Sequence, residues 1–242
     1  MSVPPPHLLL LPGLVCDADV WKHQAHSLAG VTTVSVPDYG LSDSLEKMAQ
    51  VAIERAPQRF ALAGHSMGAR VSFEIVRRAP ERVVGLAILD SAYRPRPAGE
   101  AGEREKANRL ALLNIAQTQG MLAMALRWLP GIVHPARLAD QPLVDSIVEM
   151  ICRKTPEIFA AQIKALLERP DAAPVLASVR CPTLVLCGRE DTWSPLAGHQ
   201  EMAALVPNSK LVVIENSGHM STMERPEDVT AAMTLWFAGL KS

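Results

Sequence analysis

The stretch RFALAGHSMGAR, residues 59–70, decides how this chain folds. The apolar run Phe60–Ala63 leads into a Gly-x-Ser-x-Gly pattern centred on Ser66, and a helix-compatible pattern follows. A turn this tight between a strand and a helix strains the backbone, and a side chain at Gly64 or Gly68 would collide with the crossing element. The stretch therefore predicts a strand, a sharp turn and a helix, with the Ser66 hydroxyl held above the end of the strand.

Short apolar runs recur along the chain and predict buried strands. Most are bounded by Gly, Pro or Asp, as in strands that are covered on both faces of a parallel sheet. The runs are His7–Leu11, Val31–Val36, Phe60–Ala63, Val83–Leu89, Thr183–Cys187 and Leu211–Ile214. Helix-like stretches such as Leu45–Ala56 and Ala69–Ala79 separate them. This alternation predicts an α/β fold: a doubly wound, mostly parallel sheet of about six strands, with functional residues at the carboxyl ends of the strands.

The alternation stops after the fourth apolar run and resumes at the fifth, and the intervening pattern is helical. Apolar residues recur there at helical spacing, for example in Met121–Leu129. The sequence therefore predicts a core domain of residues 1–92 and 171–242 with an inserted helical cap of residues 93–170, able to lie over the strand ends as a lid. The Pro- and Gly-rich segment Arg94–Gly102 is the predicted hinge into the cap.

A nucleophilic serine needs a base beside it, because its hydroxyl is a poor nucleophile near neutral pH. The base is normally a histidine that a carboxylate orients. His219 and Asp191 each lie just past the end of a predicted strand, so both are expected at the same sheet edge as Ser66. Glu190, next to Asp191, and Asp90, at the end of the fourth apolar run, are alternative acids.

Chemistry at a serine nucleophile also needs backbone N–H donors for the oxyanion of the tetrahedral intermediate. The N–H of Met67, directly after the nucleophile, is one candidate. The second is the N–H of Leu14, in the loop after the first predicted strand, where Gly13 lets the backbone turn inward. These two amides would complete the predicted catalytic site.

Four segments together resemble the α/β-hydrolase superfamily, and the resemblance spans nearly the whole chain. They are the loop LLLLPGL at 8–14, the turn GHSMG at 64–68, the acid loop GREDTWSP at 188–195 and the histidine segment NSGHMSTMERPE at 216–227. The resemblance implies a triad and two oxyanion amides, namely Ser66, Asp191 and His219 with Leu14 and Met67. It also implies a helical cap between the sixth and seventh strands of the family fold.

Two features depart from the family pattern. The chain starts at what is usually the third strand, so the first hairpin is expected to be missing and the sheet to have six strands. The oxyanion loop carries Pro12-Gly13 where many relatives carry His-Gly. Neither departure removes a catalytic group.

The resemblance implies a serine hydrolase, carboxylesterase-like or enol-lactonase-like, that uses no metal and no cofactor. Its expected reaction is cleavage of carboxylic esters of small-to-medium acyl compounds through an acyl-enzyme on Ser66. An alternative is a carbon–carbon bond hydrolase, an enol-lactonase or a cofactor-free lyase that uses the same triad. A further alternative is a non-catalytic ligand-binding protein, whose usual sign is the loss of a triad residue.

Side chains of the predicted cap bear on the choice between these reactions. Arginines that face the pocket would favour a carboxylate-bearing substrate. The candidates are Arg94, Arg96, Arg127 and Arg153. Two or three of the apolar cap residues are expected to contact substrate, chosen from Met121, Met124, Trp128 and Met150.

Composition and the lack of targeting patterns favour a cytoplasmic protein. The net charge is −1, so no field recruits nucleic acid or a membrane surface. No apolar run approaches the roughly 20 residues that cross a bilayer, and the N-terminal apolar stretch is too short for a signal peptide. The four cysteines lack metal-ligand spacing. The expected partner is a small-molecule ester or related acyl compound, and a homo-oligomer stays open.

Overall fold

The computed structural model describes residues 5–240 and contains one parallel sheet. Its six strands are β1 (His7–Leu11), β2 (Val34–Ser35), β3 (Phe60–His65), β4 (Val83–Leu89), β5 (Thr183–Gly188) and β6 (Ser209–Ile214). They lie in the order β2-β1-β3-β4-β5-β6, and every neighbouring pair is parallel. The predicted six-stranded α/β sheet is confirmed.

Helices flank this sheet and fill the connections between strands. They are α1 (Lys22–Leu28), α2 (Leu45–Glu54), α3 (Met67–Arg78), α4 (Gly99–Gln119), α5 (Met121–Ile132), α6 (Gln141–Cys152), α7 (Pro156–Leu167), α8 (Ala173–Ser178), α9 (Leu196–Leu205), α10 (Ser221–Glu224) and α11 (Pro226–Ala238). Helix α3 packs against β1, β3 and β4, whereas α11 packs against β5, β6 and α1. Strands β3 and β5 are buried along their whole length, which explains their nearly continuous apolar sequence.

The second strand is much shorter than the predicted run Val31–Val36. Only Val34 and Ser35 pair with β1. The N–H groups of Val31 and Thr32 instead donate to the carbonyl oxygen of Leu28, at 2.9 Å and 3.0 Å. These bonds cap the C-terminus of α1, so the first residues of the apolar run form the turn that follows the helix.

Five helices lie between β4 and β5; α4 to α7 pack mainly on one another, whereas α8 packs against α3 and α9. Helix α4 begins at Gly99, so it starts inside the predicted hinge Arg94–Gly102, and Gly102 is buried within it. The domain boundaries predicted at 92/93 and 170/171 stay a prediction, and residues 1–4 and 241–242 lie outside the described chain. Within residues 5–240, no helix is both long and apolar enough to cross a membrane.

The strand order reverses next to β1, because β2 lies on one side of it and β3 on the other. Ligands of open α/β sheets bind at such a reversal, beyond the carboxyl ends of the strands. The loop after β1 and the turn after β3 meet at this point, since Leu11 pairs with Gly64 at the ends of the two strands. The functional site is therefore expected at this edge of the sheet.

Candidate active site

Ser66 occupies the sharp turn between β3 and α3 in a strained conformation. Its φ is 54° and its ψ is −114°, a region that side chains other than glycine avoid. Its N–H donates to the Leu89 carbonyl (2.9 Å), and its own carbonyl accepts from the Ser91 hydroxyl (2.8 Å). A Cβ on Gly68 would clash with the carbonyl oxygen of Leu11, because α3 starts directly against the end of β1. The fold thus holds the serine hydroxyl out of the turn.

Three side chains from three different strand ends form one hydrogen-bonded chain. The Ser66 Oγ lies 2.8 Å from Nε2 of His219, and Nδ1 of His219 lies 2.8 Å from Oδ2 of Asp191. The second oxygen of Asp191 accepts the N–H groups of Trp193 (2.8 Å) and Ser194 (2.9 Å). Three hydrogen bonds therefore hold the carboxylate and fix its orientation toward the imidazole.

The electrostatics of this chain favour a charged carboxylate and a basic imidazole. Burial alone would raise the pKa of Asp191, but His219 and two N–H donors hold that pKa below its usual value. Burial likewise opposes the charge on His219, and the Asp191 carboxylate raises the His219 pKa above its usual value nonetheless. The arrangement can take a proton from the serine and stabilise the resulting imidazolium.

The two alternative acids occupy other positions. Asp90 is fully buried, its Oδ1 accepts the Gly188 N–H (2.9 Å), and its Oδ2 accepts the Ser221 hydroxyl. Burial and the nearby Asp191 raise the pKa of Asp90 well above its usual value, which favours its protonated form. Glu190 accepts the backbone N–H of Ser217 (3.0 Å). Neither of these carboxylates hydrogen-bonds the ring of His219, so of the three candidate acids Asp191 is the one that orients it.

His65, next to the serine, hydrogen-bonds the backbone of the loop that carries His219. Its Nε2–H donates to the backbone carbonyl of His219 at 2.8 Å. Burial, together with the nearby His219 ring, lowers the pKa of His65 to about 3, so the ring is neutral. A neutral donor in this place fixes the His219 backbone without adding a charge beside the catalytic imidazole.

The two predicted oxyanion amides border the same cavity as Ser66. Leu14 and Met67 both line that cavity, and within residues 5–240 neither N–H donates to a protein acceptor. Val15, the next residue in the loop, has a positive φ of 51°, and its N–H donates to Oε1 of Gln162 at 2.7 Å. Gln162 lies on helix α7 and is buried, so a helix between β4 and β5 holds the oxyanion loop in place.

A buried glutamate holds the loop that carries the catalytic histidine. Oε1 of Glu224 accepts the N–H groups of Gly218 (3.0 Å) and Met220 (3.2 Å), on either side of His219. Its Oε2 accepts the N–H of His134 (2.8 Å), just after helix α5. Sequence reasoning missed both Glu224 and Gln162, because single polar residues in helices give no signal of a distant backbone partner.

Two cavities adjoin the serine hydroxyl. One is a notch of about 10 Å³. Mostly apolar side chains line it, and they include Trp128 and Met150. The other has a volume of about 280 Å³ and contains the two oxyanion residues. Trp128 and Trp193 meet edge to face, with ring centroids 5.8 Å apart, and both line the larger cavity. Of the four apolar residues expected to contact substrate, Trp128 and Met150 border a cavity, whereas Met121 and Met124 border neither.

The larger cavity is polar at the end formed by helices α3, α4 and the chain after α7. Its charged lining residues, other than His219, are Arg70, Glu105, Arg109 and Arg169. The arginines considered from the sequence lie elsewhere. Arg94 pairs with Glu201, Arg96 with Glu103, Arg153 with Asp17 and Asp19, and Arg127 is exposed. Within the described chain, no group of three or more His, Cys, Asp or Glu is arranged to hold a metal ion.

The fold and the site geometry define an α/β hydrolase. The chain belongs to the alpha/beta hydrolase family, whose model matches residues 8–232.

Individual relatives are hydrolases of several kinds. The chain is 27% identical to a pimeloyl-[acyl-carrier protein] methyl ester esterase of Nitrosomonas europaea, over 92% of each chain. It is 26% identical to the (E)-2-((N-methylformamido)methylene)succinate hydrolase of Acinetobacter baylyi, over 95% of this chain and 89% of the relative. Its structure resembles that of a malate-bound thermophilic esterase from Thermogutta terrifontis, with a TM-score of 0.85 and 29% identity over 98% and 91% of the two chains.

Proposed function

We propose that this α/β hydrolase cleaves carboxylic esters of small-to-medium acyl compounds through an acyl-enzyme on Ser66. The observation that carries the proposal is the unbroken hydrogen-bonded chain from Ser66 through His219 to Asp191. Its nucleophilic end faces a cavity that also contains Leu14 and Met67. A nucleophile, a base, an orienting acid and two free N–H donors are the parts that acyl transfer requires.

In the first half of the proposed reaction, Ser66 Oγ forms a bond to the ester carbonyl carbon while His219 Nε2 takes the hydroxyl proton. The N–H groups of Leu14 and Met67 donate to the developing oxyanion. Asp191 stabilises the imidazolium and does not itself accept the proton. Collapse of the intermediate breaks the bond to the alcohol, which leaves with the proton from His219.

In the second half, water attacks the acyl-enzyme and His219 accepts the water proton. The same two N–H groups stabilise the second oxyanion. Collapse breaks the bond from the acyl carbon to Ser66 Oγ, and the hydroxyl regains its proton from His219. The carboxylic acid product is released and the enzyme returns to its starting state.

The choice of an ester bond is supported by two of the relatives, which are named as esterases. A second candidate is the hydrolysis of a carbon–carbon, lactone or other acyl bond by the same triad. The observation that favours it is the group of arginines in the larger cavity, which fits a more polar substrate than a simple ester. The Acinetobacter relative is named for a succinate derivative and gives this candidate its chemical precedent.

Hydrolysis of p-nitrophenyl esters from acetate to decanoate tests the proposal, with Ser66→Ala as the matched control. We expect turnover that depends on Ser66 and is fastest for short chains, because the larger cavity holds only about 280 Å³. Turnover that persists in Ser66→Ala would contradict the proposed nucleophile. A wild type that reacts covalently at Ser66 but hydrolyses none of the esters would favour the second candidate.

A further inference from the structure

Arg70 is a buried cation without a carboxylate partner among the described residues. It lies one helical turn after Ser66 on α3, and only 8% of the residue is exposed. Its one hydrogen bond to the protein within residues 5–240 runs from Nη1 to the backbone carbonyl of Arg94 at 3.1 Å. A guanidinium carries five N–H donors, and burying it without an ion pair costs free energy. Arg70 lines the cavity next to the serine.

Two further arginines at the same end of the cavity share one acid. Arg169 binds both oxygens of Glu105, with Nη1 to Oε1 at 2.6 Å and Nη2 to Oε2 at 2.8 Å. Arg109 donates from Nε to Oε1 of the same carboxylate at 2.9 Å. Three positive charges therefore face one negative charge, and the group keeps a net charge of +2 at neutral pH.

The neighbouring cations disfavour the charge on Arg70. Burial, together with the charges of Arg169 and Arg109, lowers the pKa of Arg70 to about 9, although the Glu105 carboxylate acts in the opposite direction. Arg70 stays charged at neutral pH, since that pKa lies above 7. A second anion in the cavity would offset the excess charge and supply acceptors for the unused donors.

The arginine group and the catalytic residues border one cavity. Arg109 also lies over the ring of Trp193, with its Cζ 5.7 Å from the ring centroid, and the Trp193 ring centroid is 6.4 Å from that of His219. The wall therefore runs from the guanidinium groups across an aromatic ring to the catalytic imidazole. A substrate whose carbonyl lies at Ser66 would therefore share this cavity with the guanidinium groups.

We propose that the arginine group of Arg70, Arg109 and Arg169 is a carboxylate subsite, and that the preferred substrates are acyl compounds with a carboxylate at the far end of the acyl chain. The substrate preference rests on the proposed function, whereas binding of a carboxylate by the arginine group does not depend on it. The planar fork of a guanidinium matches the two oxygens of a carboxylate. A hemiester of a short dicarboxylic acid combines a scissile ester with such a terminal carboxylate.

The first test compares two esters that differ only in charge. The p-nitrophenyl hemiester of adipic acid ends in a carboxylate, and the p-nitrophenyl ester of adipamic acid ends in a neutral amide of the same shape. We expect wild-type kcat/KM to be at least about tenfold higher for the hemiester, the factor that charge-assisted hydrogen bonds typically give. Arg70→Gln and Arg109→Gln should remove most of this preference, because they lower kcat/KM for the hemiester far more than for the amide-terminated ester.

Matched controls separate the subsite from a general loss of positive charge. The control substitutions are Arg104→Gln and Arg78→Gln. Arg104 lies on α4, as Arg109 does, and Arg78 lies on α3, as Arg70 does; Arg104 and Arg78 are exposed. Both variants should keep the wild-type preference. Equal kcat/KM for the two esters in the wild type would overturn the proposal, as would the same loss of preference in the control variants.

A binding measurement keeps the subsite testable apart from turnover. Ser66→Ala protein titrated calorimetrically with adipate should bind it, and the added Arg70→Gln change should weaken binding at least about tenfold. Adipate that binds while no ester is hydrolysed would contradict the proposed function and leave the subsite standing. Turnover of the neutral ester without adipate binding would contradict the subsite alone. Inorganic phosphate that binds more tightly than adipate would contradict the carboxylate assignment.

Discussion

Oδ2 of Asp191 lies 2.8 Å from Nδ1 of His219, whereas the equally buried Asp90 makes no hydrogen bond to that ring. Two carboxylates at neighbouring strand ends thus have different partners. Asp191 is held ionised beside the imidazole, and Asp90 ties the Gly188 N–H to the Ser221 hydroxyl.

Replacing the two carboxylates by amides should therefore give opposite results. Asp191→Asn is expected to lower kcat by about 10³–10⁴-fold, because the amide cannot select the required tautomer of His219. Asp90→Asn should keep kcat close to wild type, because an amide resembles the protonated acid that its burial favours. Both variants should show the far-UV circular dichroism of the wild type. A collapse of kcat in Asp90→Asn with normal kcat in Asp191→Asn would reverse the assignment of the acid.

The pH dependence of kcat/KM should report the raised pKa of His219. The imidazole must be neutral to accept the serine proton, so activity falls as the pH drops through its pKa. Because Asp191 raises that pKa above the ordinary 6.5, the acid limb of the profile should have its midpoint above pH 6.5. In Asp191→Asn the residual activity should show a midpoint at lower pH. A rate independent of pH from 5 to 9, with chemistry rate-limiting, would speak against a histidine base.

Gly68 should tolerate no side chain, because a Cβ there would clash with the carbonyl oxygen of Leu11. We expect Gly68→Ala to lower the free energy of unfolding by more than about 3 kcal/mol. Gly198→Ala is the matched control, since no heavy atom lies within 4 Å of a Cβ at that helical position. It should stabilise the protein by about 0.5–1 kcal/mol. Urea unfolding measures both changes. Equal effects of the two substitutions would show that the close contact of α3 with β1 does not exclude a side chain at position 68.

Gln162 is expected to be a positioning residue for the oxyanion loop. Gln162→Met leaves the buried N–H of Val15 without its acceptor, at a cost of about 1–3 kcal/mol in stability. It should also lower kcat more than it changes KM, because the Leu14 N–H acts mainly on the transition state. Gln117→Met, at an exposed site on α4, is the control and should change neither constant. A Gln162→Met variant with lowered stability and unchanged kcat would limit the residue to a structural role.

The apolar runs along the chain and the pattern around the serine were sufficient to predict the sheet, the turn and the strand ends that carry the site. These features depend on short-range requirements, such as a side-chain-free position at Gly68 and apolar runs for strands buried on both faces. The shortening of β2 could not be predicted, because Val31 and Thr32 are apolar or neutral enough for a strand and only the completed α1 offers them the Leu28 carbonyl.

The arginines that line the cavity could not be predicted from the sequence either. Four arginines of the predicted cap and its hinge were considered, and three of them form ion pairs at the surface instead. Arg70 directly follows the GHSMG turn in the sequence, but its burial depends on tertiary contacts such as that with the distant Arg94 carbonyl. Long-range packing decides which of many arginines loses its access to water, and no local pattern encodes it.

The central claim is that Ser66 is the nucleophile and His219 its base. The most direct test is to label the protein with a serine-reactive fluorophosphonate and to map the modified peptide by mass spectrometry. We expect one adduct on Ser66, no adduct in Ser66→Ala, and labelling slowed strongly in His219→Ala. An adduct on another serine such as Ser194 or Ser221, or a well-folded wild type that does not react, would contradict it.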